Sequence, residues 1–224
     1  MLTSVHVIGT GRAGGAIRSR LRARDLHVTD GREPDPAAEL VLLCVPDAVI
    51  AEVAAAVPPG SWIAHVSGAT RLTALEPHER RFGVHPLQTL TRERGPEQLD
   101  GAWAAIGGET DEALRMARWL AETLGLRTFE IADADRALYH AAAVFGGNYL
   151  VTLHAVATRL LADVGAPAEA IVPLMTRTIE NGFDLTGPIA RGDWGTVEAH
   201  LAALGERAPD LAPLYRALAE ATRR

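Results

Sequence analysis

The chain contains no lysine; all 22 of its basic residues are arginine. That absence excludes a Schiff-base lysine, a lysine general acid and the lysine of a P-loop. Proton chemistry is left to histidine, tyrosine, carboxylates, hydroxyls and water. Cysteine is nearly absent as well. Cys44 is the one thiol, in the apolar run Leu40-Val41-Leu42-Leu43-Cys44-Val45, where a packed core thiol is expected rather than a nucleophile. Internal disulfides are excluded, and a cytoplasmic location is expected. No uninterrupted apolar run reaches the ~18 residues of a membrane helix. The first strand starts within five residues of Met1, which leaves no room for a signal peptide. A net charge of −6 argues against nucleic acid and anionic membrane surfaces as partners. There is no H-E-x-x-H, no cysteine pair and no histidine spacing suited to a metal, so none is expected. What remains is ordinary: 224 residues, 48% hydrophobic and 22% charged, enough for one large or two small soluble domains.

One stretch dense in glycine stands out. Val5-His6-Val7-Ile8 reads as a buried parallel strand, and Ile17 and Leu21 recur beyond it at helical spacing. Between them Gly9, Gly11 and Gly14 form G-x-G-x-x-G in the strand–turn–helix context that gives the pattern meaning. The first glycine permits the tight turn, the second lets a diphosphate approach the backbone, and the third lets the helix pack close. Unpaired N–H groups at the helix start favour an anion, by ~0.3–2 kcal/mol from the dipole. Gly9, Thr10, Gly11, Arg12, Ala13 and Gly14 are therefore candidate dinucleotide contacts, although a glycine turn also serves packing alone. Arg12 lies inside the turn, within reach of a diphosphate. Arg18, Arg20, Arg22 and Arg24 read as a solvated helix face.

Leu26-His27-Val28-Thr29 makes a second strand ending at Asp30-Gly31-Arg32. An acid there binds ribose hydroxyls, and an arginine accommodates the extra phosphate of NADP. Arg32 favours NADP, with NAD as the alternative; Asp30 reads equally as a turn residue. Only Glu33-Pro34-Asp35-Pro36-Ala37-Ala38-Glu39 then links to the next strand, whereas a parallel crossover takes at least ~10–12 residues. The wall of an adenine pocket is trimmed. Val45-Pro46-Asp47 and Ser67-Gly68 close two further strands at their carboxyl ends, where open parallel sheets bind ligands. Val45, Pro46 and Asp47 join the cofactor set, and Ser67 is placed as a hydrogen-bond donor beside a nicotinamide. Arg81–Leu87 reads as a strand ending in His85-Pro86. Proline holds the histidine extended, and its ordinary pKa of roughly 6.5 suits proton transfer. A histidine bound to backbone is the competing reading. Arg92–Asp100 reads as polar loop, Trp103–Gly107 as a strand, Asp111–Leu124 as a helix and Leu126–Ile131 as a last strand. Alternating strands and helices predict a doubly wound α/β domain over residues 1–132.

Residues 133–224 read as helix only. Asp133 or Asp135 is placed to cap an alanine-rich helix running to about Val164, apolar nearly all round and so expected to be buried on most sides. His140, Gly147 and His154 fall on one stripe with Asn148 beside it. Gly146-Gly147 in mid-helix costs about 1 kcal/mol per glycine, explained by close approach of a ligand or simply by helix packing. Leu185–Asp193 is a loop in which Thr186 and Arg191 suit a substrate anion or cap the flanking helices, with Asp193 as an N-cap. So apolar a helical region predicts a covering partner, the first domain or a second subunit.

Taken together, Gly9-Thr10-Gly11-Arg12-Ala13-Gly14, Val45-Pro46-Asp47, His65-Val66-Ser67-Gly68-Ala69, Val84-His85-Pro86-Leu87-Gln88-Thr89, Tyr139-His140-Ala141-Ala142, Asn148-Tyr149 and Leu185–Asp193 resemble one group. It comprises two-domain Rossmann proteins with a helical C-terminal domain of unknown function. They belong to the phosphogluconate dehydrogenase-like superfamily, near ketopantoate reductase, pyrroline carboxylate reductase and prephenate dehydrogenase. The resemblance implies a doubly wound Rossmann-type, mostly parallel sheet followed by an all-α C-terminal domain. It also implies NADP-dependent reduction of a small carbonyl or imine. A similar His-Pro motif in prephenate dehydrogenases supplies a catalytic histidine, which carries over to His85. Two departures stand against it: the lysine of ketopantoate reductases has no counterpart, and the second Rossmann helix is nearly deleted.

The expectation is thus a cytoplasmic NADP-dependent oxidoreductase acting on a small molecule, dimeric through its C-terminal helices. His85, Asn148 and Ser67 are the catalytic candidates, and His140, Thr186 and Arg191 the substrate contacts. The rival is a non-catalytic dinucleotide-binding or regulatory protein.

Overall fold

The computed structural model describes residues 2–223. They divide into two compact units, 1–147 and 148–224. In the first, β1 (Ser4–Ile8), α1 (Arg12–Arg22), β2 (His27–Asp30), β3 (Leu40–Leu43), α2 (Ile50–Ala55), β4 (Trp62–His65), β5 (Arg81–Leu87), β6 (Trp103–Gly108), α3 (Asp111–Thr123), β7 (Arg127–Glu130) and α4 (Arg136–Gly146) follow in order. The second holds α5 (Asn148–Asp163), α6 (Ile171–Glu180), α7 (Trp194–Arg207) and α8 (Ala212–Thr222).

The sheet has seven strands in the order β2-β1-β3-β4-β5-β6-β7, parallel except where β6 runs against β5. Doubly wound, mostly parallel and followed by helices, it is the architecture the strand–helix alternation implies. β3 shows why. Leu40–Leu43 is buried throughout because both faces of a central parallel strand are covered. Leu40 and Leu42 enter the core shared with α1 and α3, while Val41 and Leu43 enter the one shared with α2. β6 reverses direction because residues 88–102 supply no crossover helix, only a short 3-10 turn at Pro96–Leu99. α3 starts at Thr110, whose side chain accepts from the Ala113 N–H, with Asp111 and Glu112 in its first turn.

Three local features differ from the sequence reading. Arg20 is buried rather than solvated: it donates to the Pro96 carbonyl at 2.6 Å and pairs with Asp100 at 2.7 Å, tying α1 to the 3-10 turn. The long helix is interrupted at Gly147, with α4 ending at Gly146 and α5 starting at Asn148. And its apolar residues are not buried on most sides: α5 has no buried residue, and Leu138, Phe145 and Val151 are 76%, 70% and 70% exposed. By length and composition alone Asp133–Asp163 is long and apolar enough to cross a membrane, yet its start is locked into the sheet by an arginine.

That arginine explains why the first unit extends past Ala132 to Gly147. Arg136 is fully buried. Its guanidinium lies against Gly83 and Gly107, which face each other across β5 and β6. A Cβ on either glycine would lie 2.5 or 2.7 Å from Arg136 Nη2. Asp133 accepts from Arg136 Nε at 2.7 Å and from the Leu72 N–H at 2.9 Å, so it braces the arginine and a neighbouring turn. Asp135 makes no side-chain cap.

Candidate active site

The site has two parts on the first unit, both built at carboxyl ends of parallel strands. The first is the turn after β1. Gly9 adopts φ +109°, open to glycine and strained for other residues. A Cβ there would overlap the Cys44 carbonyl, and a Cβ on Gly14 would overlap the carbonyl of Gly9 itself. Gly11 is different: nothing lies within 4 Å of where its Cβ would be. Two glycines close the turn and the middle one leaves a bare approach to the backbone. α1 begins without a side-chain cap and without an acid in its first turn. Its leading N–H groups are the free donors an anion satisfies. Thr10 and Arg12 are exposed beside them. Cys44 lies beneath, its thiol pushed up to about 12 by burial.

At the end of β2, Asp30 is held by Arg18 at 2.5 Å and Arg22 at 2.9 Å, with Arg32 exposed two residues on. Both carboxylate oxygens are engaged, whereas Arg32 makes no ion pair among the described residues. The segment 33–39 contains no helix. It is a braced turn: Asp35 accepts from the Ala37 N–H and Thr29 hydroxyl, and Glu39 from Thr3 and Ser4. Those bonds hold both carboxyls below the usual range.

The second part gathers Ser67, His85 and His140 near Asp47, and adds residues the sequence reading did not single out. His85 Nδ1 lies 2.6 Å from the Tyr139 hydroxyl, rings edge-on. His140 stands edge-on to His85, with centroids 5.9 Å apart. Gly68 makes the room: a Cβ there would lie 2.7 Å from His140 Cδ2 and 2.9 Å from His85 Cε1. Burial pushes His85 down to about 4, aided by His140 and Arg136, and pushes Tyr139 up to about 12. Near neutral pH both are uncharged. A neutral His85 can pass on a hydrogen bond but carries no imidazolium proton, unlike a histidine at its ordinary pKa.

Ser67 is already committed. Its hydroxyl donates to Asp47 at 2.7 Å and accepts from the Thr70 N–H at 2.9 Å, while its own N–H donates to His65 Nδ1 at 3.2 Å. It closes the turn after β4 and steadies Asp47. Val45 is half-buried and Pro46 exposed on the same edge. Tyr139 enters the sequence reading only within the motif Tyr139-His140-Ala141-Ala142, with no role, and Arg136 not at all, although Arg136, Tyr139 and His140 stand at i, i+3 and i+4, the spacing that puts three side chains on one helix face. Asn148, Thr186 and Arg191 belong to the second unit and are exposed there. In that loop Asp193 is the cap expected of it, accepting from the Thr196 N–H at 3.1 Å.

A family profile matches residues 102–222, more than half of the chain, under the description Domain of unknown function, DUF2520. The chain belongs to the DUF2520 family. Comparison with curated proteins finds no match. Among solved structures, a Bacteroides fragilis protein assigned as an NADP oxidoreductase is 20% identical, with a TM-score of 0.83 over 99% of this chain and 98% of that one. Protein TM1727 from Thermotoga maritima is 22% identical, with a TM-score of 0.74 over 98% and 100%. A reductive aminase from Aspergillus terreus, solved with NADPH and ethyl levulinate, is 18% identical, with a TM-score of 0.70 over 100% and 94%. At these identities the likeness shows that this DUF2520 protein has the Rossmann-type fold in both chain order and extent.

Proposed function

We propose that this protein is an NADP-dependent oxidoreductase that reduces a small carbonyl or imine compound. The observation that carries the reading is the open turn at Gly11: an uncapped helix start, with an arginine and no acid in its first turn, has the donor set of a diphosphate site. Gly9–Gly14 would hold the diphosphate and Val45, Pro46 and Asp47 the edge beside it. Arg32 favours the extra phosphate of NADP, since Asp30 is neutralised by Arg18 and Arg22. When bound, such a cofactor supplies a hydride.

The chain's own residues supply the proton path. In the neutral pair Tyr139 O–H donates to His85 Nδ1, which leaves Nε2–H as the donor for a substrate oxygen or nitrogen. His140 and Gly68 shape the space beside that donor, and Asp47 is kept in place by Ser67. Asn148, Thr186 and Arg191 are proposed as the substrate contacts of the helical unit. The names of the B. fragilis and A. terreus neighbours support the same reaction class.

Fluorescence titration with NADPH and NADH, followed by a screen of keto acids and imines for oxidation of bound NADPH, tests the reading. Saturable binding with turnover, tighter for NADPH, is expected. Binding without turnover favours a regulatory dinucleotide-binding protein, the alternative that the trimmed segment 33–39 supports. No binding of either nucleotide overturns both.

A homodimer through the C-terminal helices belongs to the same proposal. Among the described residues the second unit buries Val197, Ala219 and a small cluster around Leu204, Ala208 and Ala212, while Val151, Leu174 and Phe183 are 70%, 62% and 71% exposed. Sedimentation at micromolar concentration is expected to give a dimer that Val151→Asp weakens. A wild-type monomer at that concentration refutes it.

A further inference from the structure

Beside the glycine turn lies a cavity of about 220 Å³ that the turn lines on one side and residues 91–96 on the other. Gly11, Arg12 and Arg18 face Thr91, Arg92 and Arg94, and no carboxylate lines the space. Arg12, Arg92 and Arg94 make no ion pair among the described residues. Arg18 Nε is buried there without a hydrogen bond, while Arg18 Nη1 pairs with Asp30 at 2.5 Å, and Thr91 helps hold the Glu93 carboxyl below its usual range. With Arg18 so paired, and Glu93 in the same loop offsetting part of the Arg92 charge, the attraction left for an anion comes from Arg12 and Arg94 together with the remainder of Arg92.

The loop is also held in shape. Gln98, only 6% exposed, accepts from the Thr91 N–H at 2.8 Å. Its amide donates to the carbonyls of Thr91, Arg94 and Gly95 at 3.2, 3.0 and 2.9 Å. Arg20 ties the same loop to α1 through Pro96 and Asp100. A polar loop knitted around one buried amide is preorganised, and preorganised donors bind with little ordering cost.

We propose that residues 91–96 form a second phosphate-binding wall, in which Arg92 and Arg94 act with Arg12 on the diphosphate of the dinucleotide. This rests on the reading above and extends it. The polar, arginine-rich lining suits a phosphate group rather than a base. The wall also offsets the shortened segment 33–39: with no helix to enclose an adenine, binding depends on the phosphates. Inorganic pyrophosphate is then a competitor of NADPH, and adenosine is a poor one.

The test uses the full chain with Arg92→Ala and Arg94→Ala combined. Both side chains are exposed, so folding by circular dichroism is expected to be unchanged. Kd for NADPH and for pyrophosphate should each rise by roughly 10- to 100-fold. Removing two exposed arginines elsewhere, Arg24→Ala with Arg115→Ala, should leave both within about twofold, the scatter of surface changes. If the wild type binds NADPH and the loop variant binds it equally well, the proposal is overturned. If the wild type binds neither nicotinamide nucleotide, the functional reading fails on its own. The wall is then judged on pyrophosphate: binding lost in the loop variant keeps it, and binding retained or absent from the start ends it.

Discussion

Gly11→Ala is expected to lower dinucleotide affinity by at least ~100-fold while the protein melts as the wild type does, and Gly14→Ala to lower both. The contrast follows from what each new methyl meets. At Gly11 nothing lies within 4 Å, so the folded chain accepts the side chain without movement. The methyl instead occupies the approach to the first-turn amides, and each charge-assisted bond it prevents is worth about 1.5–3 kcal/mol. At Gly14 the methyl overlaps the Gly9 carbonyl, a backbone atom that cannot swing aside. α1 must move off β1, at an overpacking cost of about 1–3 kcal/mol, and the amides move with it. Titration with NADPH beside thermal melting separates the two. Wild-type affinity in Gly11→Ala would mean that the turn is not the diphosphate cradle.

His85→Ala is expected to reduce turnover by roughly 10²–10⁴-fold, the usual contribution of a positioned proton donor, with NADPH binding unchanged. Tyr139→Phe should lie between, because it removes the partner that orients the ring and not the ring itself. Comparable loss of binding and turnover in His85→Ala would make the histidine structural. The ring's environment adds a pH signature. His65 and His85 are both held down to about 4 in the folded chain, chiefly by burial, against 6.5 unfolded. Between those values the unfolded chain binds more protons, so stability rises with pH through the window and is lost as pH falls from 6.5 towards 4. Each such histidine costs about 1.4 kcal/mol for every pH unit descended within that window. Acid unfolding should therefore set in well above the carboxylate range, and His85→Ala should remove part of the slope. Ring titration by NMR should find His85 neutral at pH 6. An inflection near 6.5 would return it to the role of imidazolium acid.

Much of the first unit is legible in the sequence because local pattern and tertiary demand coincide there. A run such as Leu40–Leu43 has no place except a central strand, and the spacing of Gly9, Gly11 and Gly14 declares its turn. What escapes is whatever depends on long-range register. Tyr139 reaches His85 across 54 residues of chain, and no periodicity announces that contact. Arg20 reads as solvated charge because arginine ordinarily is, and Arg136 carries no sequence signal that sets it apart. Their burial requires acceptors, the Pro96 carbonyl and Asp133, that only the assembled fold provides. The apolar pattern of α5 reads as burial on most sides, and the helix has no buried residue.

The Gly83–Gly107 pair carries an implication for how such chains diverge. Two strands and a helix meet there through one guanidinium, so the three positions cannot drift separately. A methyl arriving at either strand evicts the arginine, and an arginine lost first leaves a void that either strand is then free to fill. Relatives should fall into two classes at these sites, small–small–arginine or larger residues with a neutral helix start, and intermediates between them should be rare.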